Sequence, residues 1–288
     1  MRVLVTGATG QVGSEIVRLL EERAESRVRG RLEVVAAGRE VMDLTSRDSV
    51  VSAICAAEPD VVFHPGAWTS VDACEAEPDR AFLVNALGTR HVAEGARLVS
   101  AHVVYFSTDY VFDGASPRPY NEWDATNPLS VYGRSKLAGE SELDPGSTIV
   151  RTSWVVGTQG HNMAKTVLKA AREREGPLRV VEDQRGSPTE ASDLAAKAVS
   201  LGLSRRPGLF HVTNQGDTTW YGFARAVLRA AGLDEARVEP IATSELDPPR
   251  AAPRPANSVL DNAALRLSGE QLLPHWESSV ARLVRALQ

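Results

Sequence analysis

Tyr132 and Lys136 stand four residues apart in Val131-Tyr-Gly-Arg-Ser-Lys-Leu-Ala-Gly-Glu140, a spacing that puts both side chains on one face of a helix. A free phenol titrates at about 10, too high for a ready proton shuttle at neutral pH, and a nearby ammonium stabilises the phenolate and lowers that value. The chain has four lysines against five tyrosines, so the pairing is not a by-product of abundant lysine. A third group comes from Phe106-Ser107-Thr108-Asp109-Tyr110-Val111-Phe112-Asp113-Gly114. Alone, Thr108 reads as an ordinary strand-end hydroxyl bonded to backbone. Together with a phenol, an ammonium and a bound cofactor, it can orient a substrate carbonyl.

The cofactor signal is Gly7-Ala8-Thr9-Gly10-Gln11-Val12-Gly13, which follows one apolar run directly and opens an amphipathic one. Backbone amides at a helix N-terminus carry partial positive charge and unpaired donors, which suits a phosphate. The spacing is Gly-x-x-Gly-x-x-Gly, and its strand-turn-helix context favours dinucleotide binding by Gly7, Thr9, Gly10, Gln11, Val12 and Gly13 over a merely structural turn. Gly38-Arg39 ends the second apolar run, where NAD-binding chains often place an acidic residue against the adenosine ribose. No carboxylate stands at that immediate position. A guanidinium there would pair with a 2′-phosphate, favouring NADPH, with NADH left open. Asp43 and Leu44 are placed to contact the adenine, although Asp43 could equally cap the helix beginning near Ser46.

Elements that can hold these groups are legible as short Val-, Ile- and Phe-rich runs alternating with amphipathic stretches, the pattern of a parallel sheet with crossover helices. Strands are predicted at 2–6, 32–37, 60–64, 102–107, 148–152, 178–181 and 209–212. A helix over 11–22 faces the core with Val12, Ile16, Leu19 and Leu20, and one over 79–99 with Phe82, Leu83, Leu87, Val92 and Ala96. The fold class is α/β: a Rossmann-type doubly wound parallel sheet with a smaller, interleaved C-terminal lobe. Residues 1–153 are expected to form the dinucleotide-binding domain and 154–288 mainly the substrate-binding lobe, with segments near 178–213 rejoining the sheet. Residues 23–31, with four arginines and no apolar periodicity, are expected to form an exposed connection.

At 288 residues, 43% hydrophobic and 24% charged, the chain has the composition of a globular protein with a sizeable core. It has no apolar run of the roughly 18 residues a membrane span needs, and Met1 leads within two residues into Val3-Leu4-Val5, leaving no room for a cleavable leader. Cys55 and Cys74 are too few for a disulfide framework and read as packing residues. These features point to a cytoplasmic protein. A net charge of −5 gives no general attraction to nucleic acid or anionic lipid, which leaves a small-molecule partner.

The same residues resemble the extended short-chain dehydrogenase/reductase superfamily and, more narrowly, the dTDP-4-dehydrorhamnose reductase family. The resemblance runs from Gly7–Gly13 through Thr69-Ser70-Val71-Asp72, 107–112, 127–140 and Arg151-Thr152-Ser153-Trp154, to Asp183-Gln184, 186–189, 211–214, 219–221 and 254–260. It implies Thr108, Tyr132 and Lys136 as catalytic residues, with Gly66 and Ala67 also against an NADPH whose ribose meets Tyr132 and Lys136. It implies a dTDP-linked 4-keto-6-deoxysugar as substrate, met by Thr108, Asp109, Tyr110, Trp154, Arg254, Asn257 and Ser258, and no metal in the chemical step. His64-Pro65-Gly66-Ala67-Trp68 departs from the usual Asn-Ala-Ala-Ala-aromatic pattern, and His64, beside a buried strand, reads as structural. Some members pair through magnesium held by acidic residues. Glu15 matches one such position while Ser192, next to Asp193, stands near a second, so magnesium and a homodimer are left open. Other readings are another dTDP-4-keto-6-deoxyhexose reductase of antibiotic deoxysugar biosynthesis, an epimerase, and a non-catalytic regulator like the methionine adenosyltransferase beta subunit.

Overall fold

The computed structural model describes residues 1–26 and 32–288. Strand β1 (Arg2–Thr6) runs into α1 (Gln11–Ser26), followed by β2 (Glu33–Ala37), α2 (Arg47–Ala57), β3 (Val61–His64), α3 (Val71–Ala76), α4 (Pro78–Phe82), a π-helical turn at Leu83–Leu87, α5 (Gly88–Leu98) and β4 (His102–Thr108). A 3₁₀ turn at Asp109–Val111 precedes α6 (Val131–Glu140) and β5 (Thr148–Thr152). The C-terminal part comprises β6 (Val155–Val156), α7 (Met163–Glu173), β7 (Leu178–Val181), β8 (Arg185–Gly186), β9 (Thr189–Glu190), α8 (Ala191–Leu203) and β10 (Gly208–His211). It closes with β11 (Thr218–Thr219), α9 (Trp220–Ala230), β12 (Val238–Ile241), α10 (Ala263–Leu267) and α11 (Trp276–Ala286). No helix among the described residues is long and apolar enough to cross a membrane.

Six strands form a parallel sheet in the order β10-β5-β4-β3-β1-β2. Successive side chains of a strand point to opposite faces, and the near-continuous apolar runs supply both. Val3, Val5, Val61, Phe63, Val104 and Phe106 pack with Ile16 and Leu20 of α1 and Leu194 and Ala198 of α8. Leu4, Val62 and Val103 pack on the other face with Val50 and Ile54 of α2 and Val92 and Ala96 of α5. The order reverses between β1 and β3, which opens a crevice beyond the carboxyl ends of the strands. The phosphate-loop candidate leaves β1 at that reversal, and Thr108 ends β4 one strand beyond β3.

Three sequence expectations change. Of the two late strands expected in the main sheet, β10 joins it beside β5, but Leu178–Val181 pairs in parallel with β12 instead. That pair lies in a second core with α7, α9 and α11, where Leu178 and Val180 meet Leu168, Phe223, Leu228, Val238 and Leu283. The helix over 79–99 is interrupted by the π-helical turn, whose extra residue per turn rotates the faces. Phe82 and Leu87 face solvent, while Ala81, Asn85, Ala86, Thr89, Val92 and Ala96 are buried. The connection predicted at residues 23–31 begins inside α1, and its remainder lies outside the described residues.

Candidate active site

Two local devices aim α6 at the end of β4. Ser130 caps the helix, accepting Gly133 N–H at 3.1 Å, and Glu75 of α3 accepts Val131 N–H at 2.6 Å. Gly133, between Tyr132 and Lys136 along the helix, lies against the Tyr110 backbone: an added Cβ would collide with the Tyr110 carbonyl and lie 3.0 Å from Pro128 Cβ. Only a residue without a side chain permits this approach. Its result is that the Tyr132 phenol lies beside Thr108, with the Tyr110 ring edge-on to Tyr132 at 5.9 Å.

Burial is the largest influence on Tyr132 and raises its phenol above its usual value, the nearby Asp109 and Tyr110 adding to the shift. That is opposite to the lowering expected from Lys136. The lysine, 2% exposed, is itself pushed down to about 7 by burial, against the pull of Glu140, and its Nζ lies 4.1 Å from the Tyr105 ring centroid. Both groups therefore favour their neutral forms. Glu140 is held by Arg151 at 2.8 and 2.7 Å and accepts the Ser107 hydroxyl at 2.5 Å, which locks the C-terminal turn of α6 to β4 and β5.

Asn85 was not singled out from the sequence, where it is one polar residue in Leu-Val-Asn-Ala-Leu. The π-helical turn presents it to Trp68 and α6. Its Oδ1 accepts Trp68 N–H at 2.8 Å, and its Nδ2 donates to Trp68 O at 3.0 Å and Ser135 Oγ at 2.9 Å. A polar residue in an otherwise apolar helical face was the available signal. Glu140 and Arg151, though within matched motifs, gave no sign of pairing.

On the cofactor side, Gly7 adopts φ +54° and rests on Gly66, whose Cα would lie 2.7 Å from a Cβ at position 7. A Cβ at Gly13 would collide with the Gly7 carbonyl, so the loop is a cradle that side chains would fill. Thr9 and Gly10 are exposed at its rim, and Val12 packs partly against the core. Gln11 Oε1 accepts Asn162 Nδ2–H at 3.0 Å, tying the loop to the segment after β6. His64, fully buried and pushed down to about 3 by burial, bonds Thr6 Oγ1 at 2.7 Å and Thr89 Oγ1 at 3.3 Å, while Thr6 Oγ1 also accepts Gly66 N–H at 3.2 Å. The departure around His64 is thus a satisfied structural unit under the loop, and Ala67 follows it half-buried.

Arg39 is exposed at the end of β2, but Glu40 folds its carboxylate back against Gly38, so an acidic group does reach the position where the sequence showed none. Asp43 is not the helix cap: it accepts Thr45 N–H at 3.0 Å, while Ser46 caps α2 by accepting Ser49 N–H at 3.3 Å. Leu44 lies near Gly66 and Gly88.

The substrate-side residues are engaged with the protein. Arg254 donates to both Asp72 carboxylate oxygens at 2.6 and 2.7 Å and lies near Tyr110. Asn257 donates to Ser116 O at 2.8 Å, and buried Ser258 donates its backbone N–H to Arg185 O at 2.8 Å. Trp154, at φ +47°, stacks on Trp220 with centroids 3.5 Å apart and crowds Gly186, so one indole face meets another indole. Asp109 is 2% exposed and touches Thr108. Cys74 is buried and Cys55 partly so. Glu15 is held by Arg18 at 2.9 Å and Thr158 at 3.3 Å, and Asp193 by Arg282 at 2.7 Å, with Ser192 bonded to Glu190.

The family model described as the RmlD substrate binding domain matches residues 1–288. A Bacillus subtilis (strain 168) protein named spore coat polysaccharide biosynthesis protein SpsK is 40% identical, over 97% of this chain and 95% of the relative. A Streptomyces griseus dTDP-4-dehydrorhamnose reductase is 39% identical over 99% of this chain and 94% of its own. The crystal structure of the Bacillus anthracis dTDP-4-dehydrorhamnose reductase in complex with NADP superposes with a TM-score of 0.91 at 35% identity, covering 99% of each chain.

Proposed function

This chain belongs to the dTDP-4-dehydrorhamnose reductase family, and from that premise we propose that it uses NADPH to reduce the C4 ketone of dTDP-4-dehydro-L-rhamnose, giving dTDP-L-rhamnose. The observation that carries the chemistry is the placing of the Thr108 hydroxyl beside the Tyr132 phenol, groups from different elements at the carboxyl edge of the sheet, with Lys136 one turn along. The loop Gly7–Gly13 fits a dinucleotide, its glycines leaving the close approach open at the N-terminus of α1, where a pyrophosphate would be held. Arg39 would take the 2′-phosphate, Asp43 and Leu44 the adenine side, Gly66 and Ala67 the middle, and Lys136 the nicotinamide ribose. The bound dinucleotide supplies the hydride.

As C4 gains the hydride, the ketone oxygen becomes basic and Tyr132 donates its phenolic proton to it, while Thr108 donates a hydrogen bond to the same oxygen. A phenol held above its usual value keeps its proton until that basicity develops. Asp109, Tyr110, Trp154, Arg254, Asn257 and Ser258 would orient the sugar nucleotide, Arg254 exchanging part of its pairing with Asp72 for phosphate oxygens.

The test is to mix purified protein with NADPH and enzymatically generated dTDP-4-dehydro-L-rhamnose, follow loss of the nicotinamide absorbance and identify the product by NMR. Rapid oxidation with dTDP-L-rhamnose formed is expected. No turnover, with cofactor binding demonstrated, would overturn the assignment and direct the search to other keto-sugars.

A further inference from the structure

Asp109 follows Thr108 directly, and its carboxyl is buried against the reacting pair. Its Oδ1 accepts the Thr108 hydroxyl at 3.0 Å, and its Oδ2 is buried without a hydrogen-bond partner in the chain. Thr108 Oγ1 also receives Tyr110 N–H at 3.2 Å, and the Tyr132 phenol lies beside it. A hydroxyl has one hydrogen and two lone pairs, and an ionised carboxylate only accepts. With Asp109 ionised, the carboxylate claims the Thr108 hydrogen and Tyr110 N–H fills one lone pair. Tyr132 can then meet Thr108 only by donating to the other. Both protons needed at a ketone oxygen are turned away from it.

With Asp109 protonated, the pattern reverses. The acid donates to Thr108 Oγ1, Tyr110 N–H fills the second lone pair, and the Thr108 hydrogen is released toward the ketone oxygen or the oxygen of Tyr132. The Tyr132 proton is then free to be given to the substrate. We propose that Asp109 is a positioning residue that sets the direction of the Thr108 hydroxyl, its neutral acid being the reactive form. The proposal rests on the ketone-reductase reading above.

The surroundings allow that acid to persist near neutrality. Burial raises the Asp109 carboxyl to about 7, against the opposing influence of the nearby Ser258 and Thr108 hydroxyls. The groups facing this pocket are Tyr110 on its own segment, Tyr132 from α6, Asp72 and Cys74 from α3, and Arg254 and Ser258 from the C-terminal segment. Both phenols are pushed up by burial, the Cys74 thiol is raised to about 11, and Arg254 is paired with Asp72. Lys136, on the same helix as Tyr132, also lies near 7, so the test must separate it from Asp109.

The test is the pH profile of kcat/KM at saturating NADPH for wild type, Asp109→Asn, Thr108→Val and the double variant, with NADPH binding measured alongside. Wild-type turnover is expected to fall about 10-fold between about pH 7 and 8.5, as one ionisation removes the reactive form. Asp109→Asn, whose amide can donate to Thr108 at any pH, should flatten that limb. Thr108→Val should flatten it too while lowering the rate throughout, and adding Asp109→Asn should not change its profile further. A limb kept at the same pH in Asp109→Asn, as a Lys136 ionisation would give, overturns the proposal. If Asp109→Asn does not fold, a limb retained in Thr108→Val does the same. Absence of wild-type turnover at every pH would overturn the reductase reading and this proposal with it, whereas turnover with a retained limb overturns this proposal alone.

Discussion

A phenol that gives up a proton and an ammonium that steadies the resulting charge work against the burial that positions them, since burial favours the neutral form of each. In this chain burial dominates at both Tyr132 and Lys136. Tyr132 is therefore built to hold its proton, and Tyr132→Phe keeps the ring while removing the proton. Turnover should fall at least about 100-fold, the lower range for loss of a general acid, with NADPH binding by fluorescence titration nearly intact; near-normal turnover would remove Tyr132 from the role. Cofactor choice is also a residue-scale contest. On the proposed reading Arg39 would attract a 2′-phosphate, whereas Glu40, folded against Gly38, would repel it and could accept from a free 2′-hydroxyl. Arg39→Ala should lower the NADPH-to-NADH ratio of kcat/KM by about 10-fold or more, the scale of a charge-assisted hydrogen bond, and Glu40→Ala should raise it. An unchanged ratio in Arg39→Ala would refute the 2′-phosphate assignment. Thr108, Tyr132 and Lys136 were legible in the sequence because their chemistry is tied to a fixed spacing and a strand end. Glu40 was not, because the side chain that lies against Gly38 is set by how the turn folds back and not by its place in the chain.

What a helix presents cannot be read from its large apolar residues alone, as the segment from Pro78 to Leu98 shows. The sequence reading places Phe82, Leu83 and Leu87 with Val92 and Ala96 on the core face, but the buried face runs through Ala81, Asn85, Thr89, Val92 and Ala96. The π-helical turn carries Asn85, which bonds Trp68 and Ser135 and so fixes α6 from behind. From the front, α6 is fixed by the contact of Gly133 with the Tyr110 backbone. Gly133→Ala tests that element-level contact. The added methyl must push α6 from the turn at Asp109–Val111, parting Tyr132 from Thr108, so kcat should fall at least about 10-fold and stability by about 1–3 kcal/mol, the range for overpacking. Gly146→Ala is the matched comparison, because a Cβ there meets nothing within 4 Å. Equal, small effects of the two substitutions on rate and melting temperature would show that the Gly133 approach does not position the site.

At the scale of the molecule, the six-stranded sheet was legible because strands covered on both faces read as unbroken apolar runs. Leu178–Val181 reads the same way yet belongs to the second core, since an apolar run records that a strand is covered and not what covers it. Folding around these cores buries His64 and His211 completely and pushes both imidazoles down to about 3, His211 by burial first and Arg151 next. In the unfolded chain each would titrate at about 6.5. Between those values the unfolded state binds more protons, so the stability that each neutral imidazole carries is fully present above about 6.5 and declines as the pH falls. Asp109 works in the other direction, because its raised carboxyl keeps a proton in the folded state that the unfolded chain releases between about 4 and 7. Two imidazoles against one carboxyl leave a net uptake of about one proton on unfolding, or about 1.4 kcal/mol lost per pH unit. The melting temperature followed by circular dichroism should therefore fall as the pH is lowered from about 6.5 to 5, and the fall should be steeper in Asp109→Asn, where the opposing proton is gone. A melting temperature that stays level in both proteins would mean that the two imidazoles are not held neutral by the fold, and a slope unchanged by the substitution would mean that Asp109 is already ionised across that range.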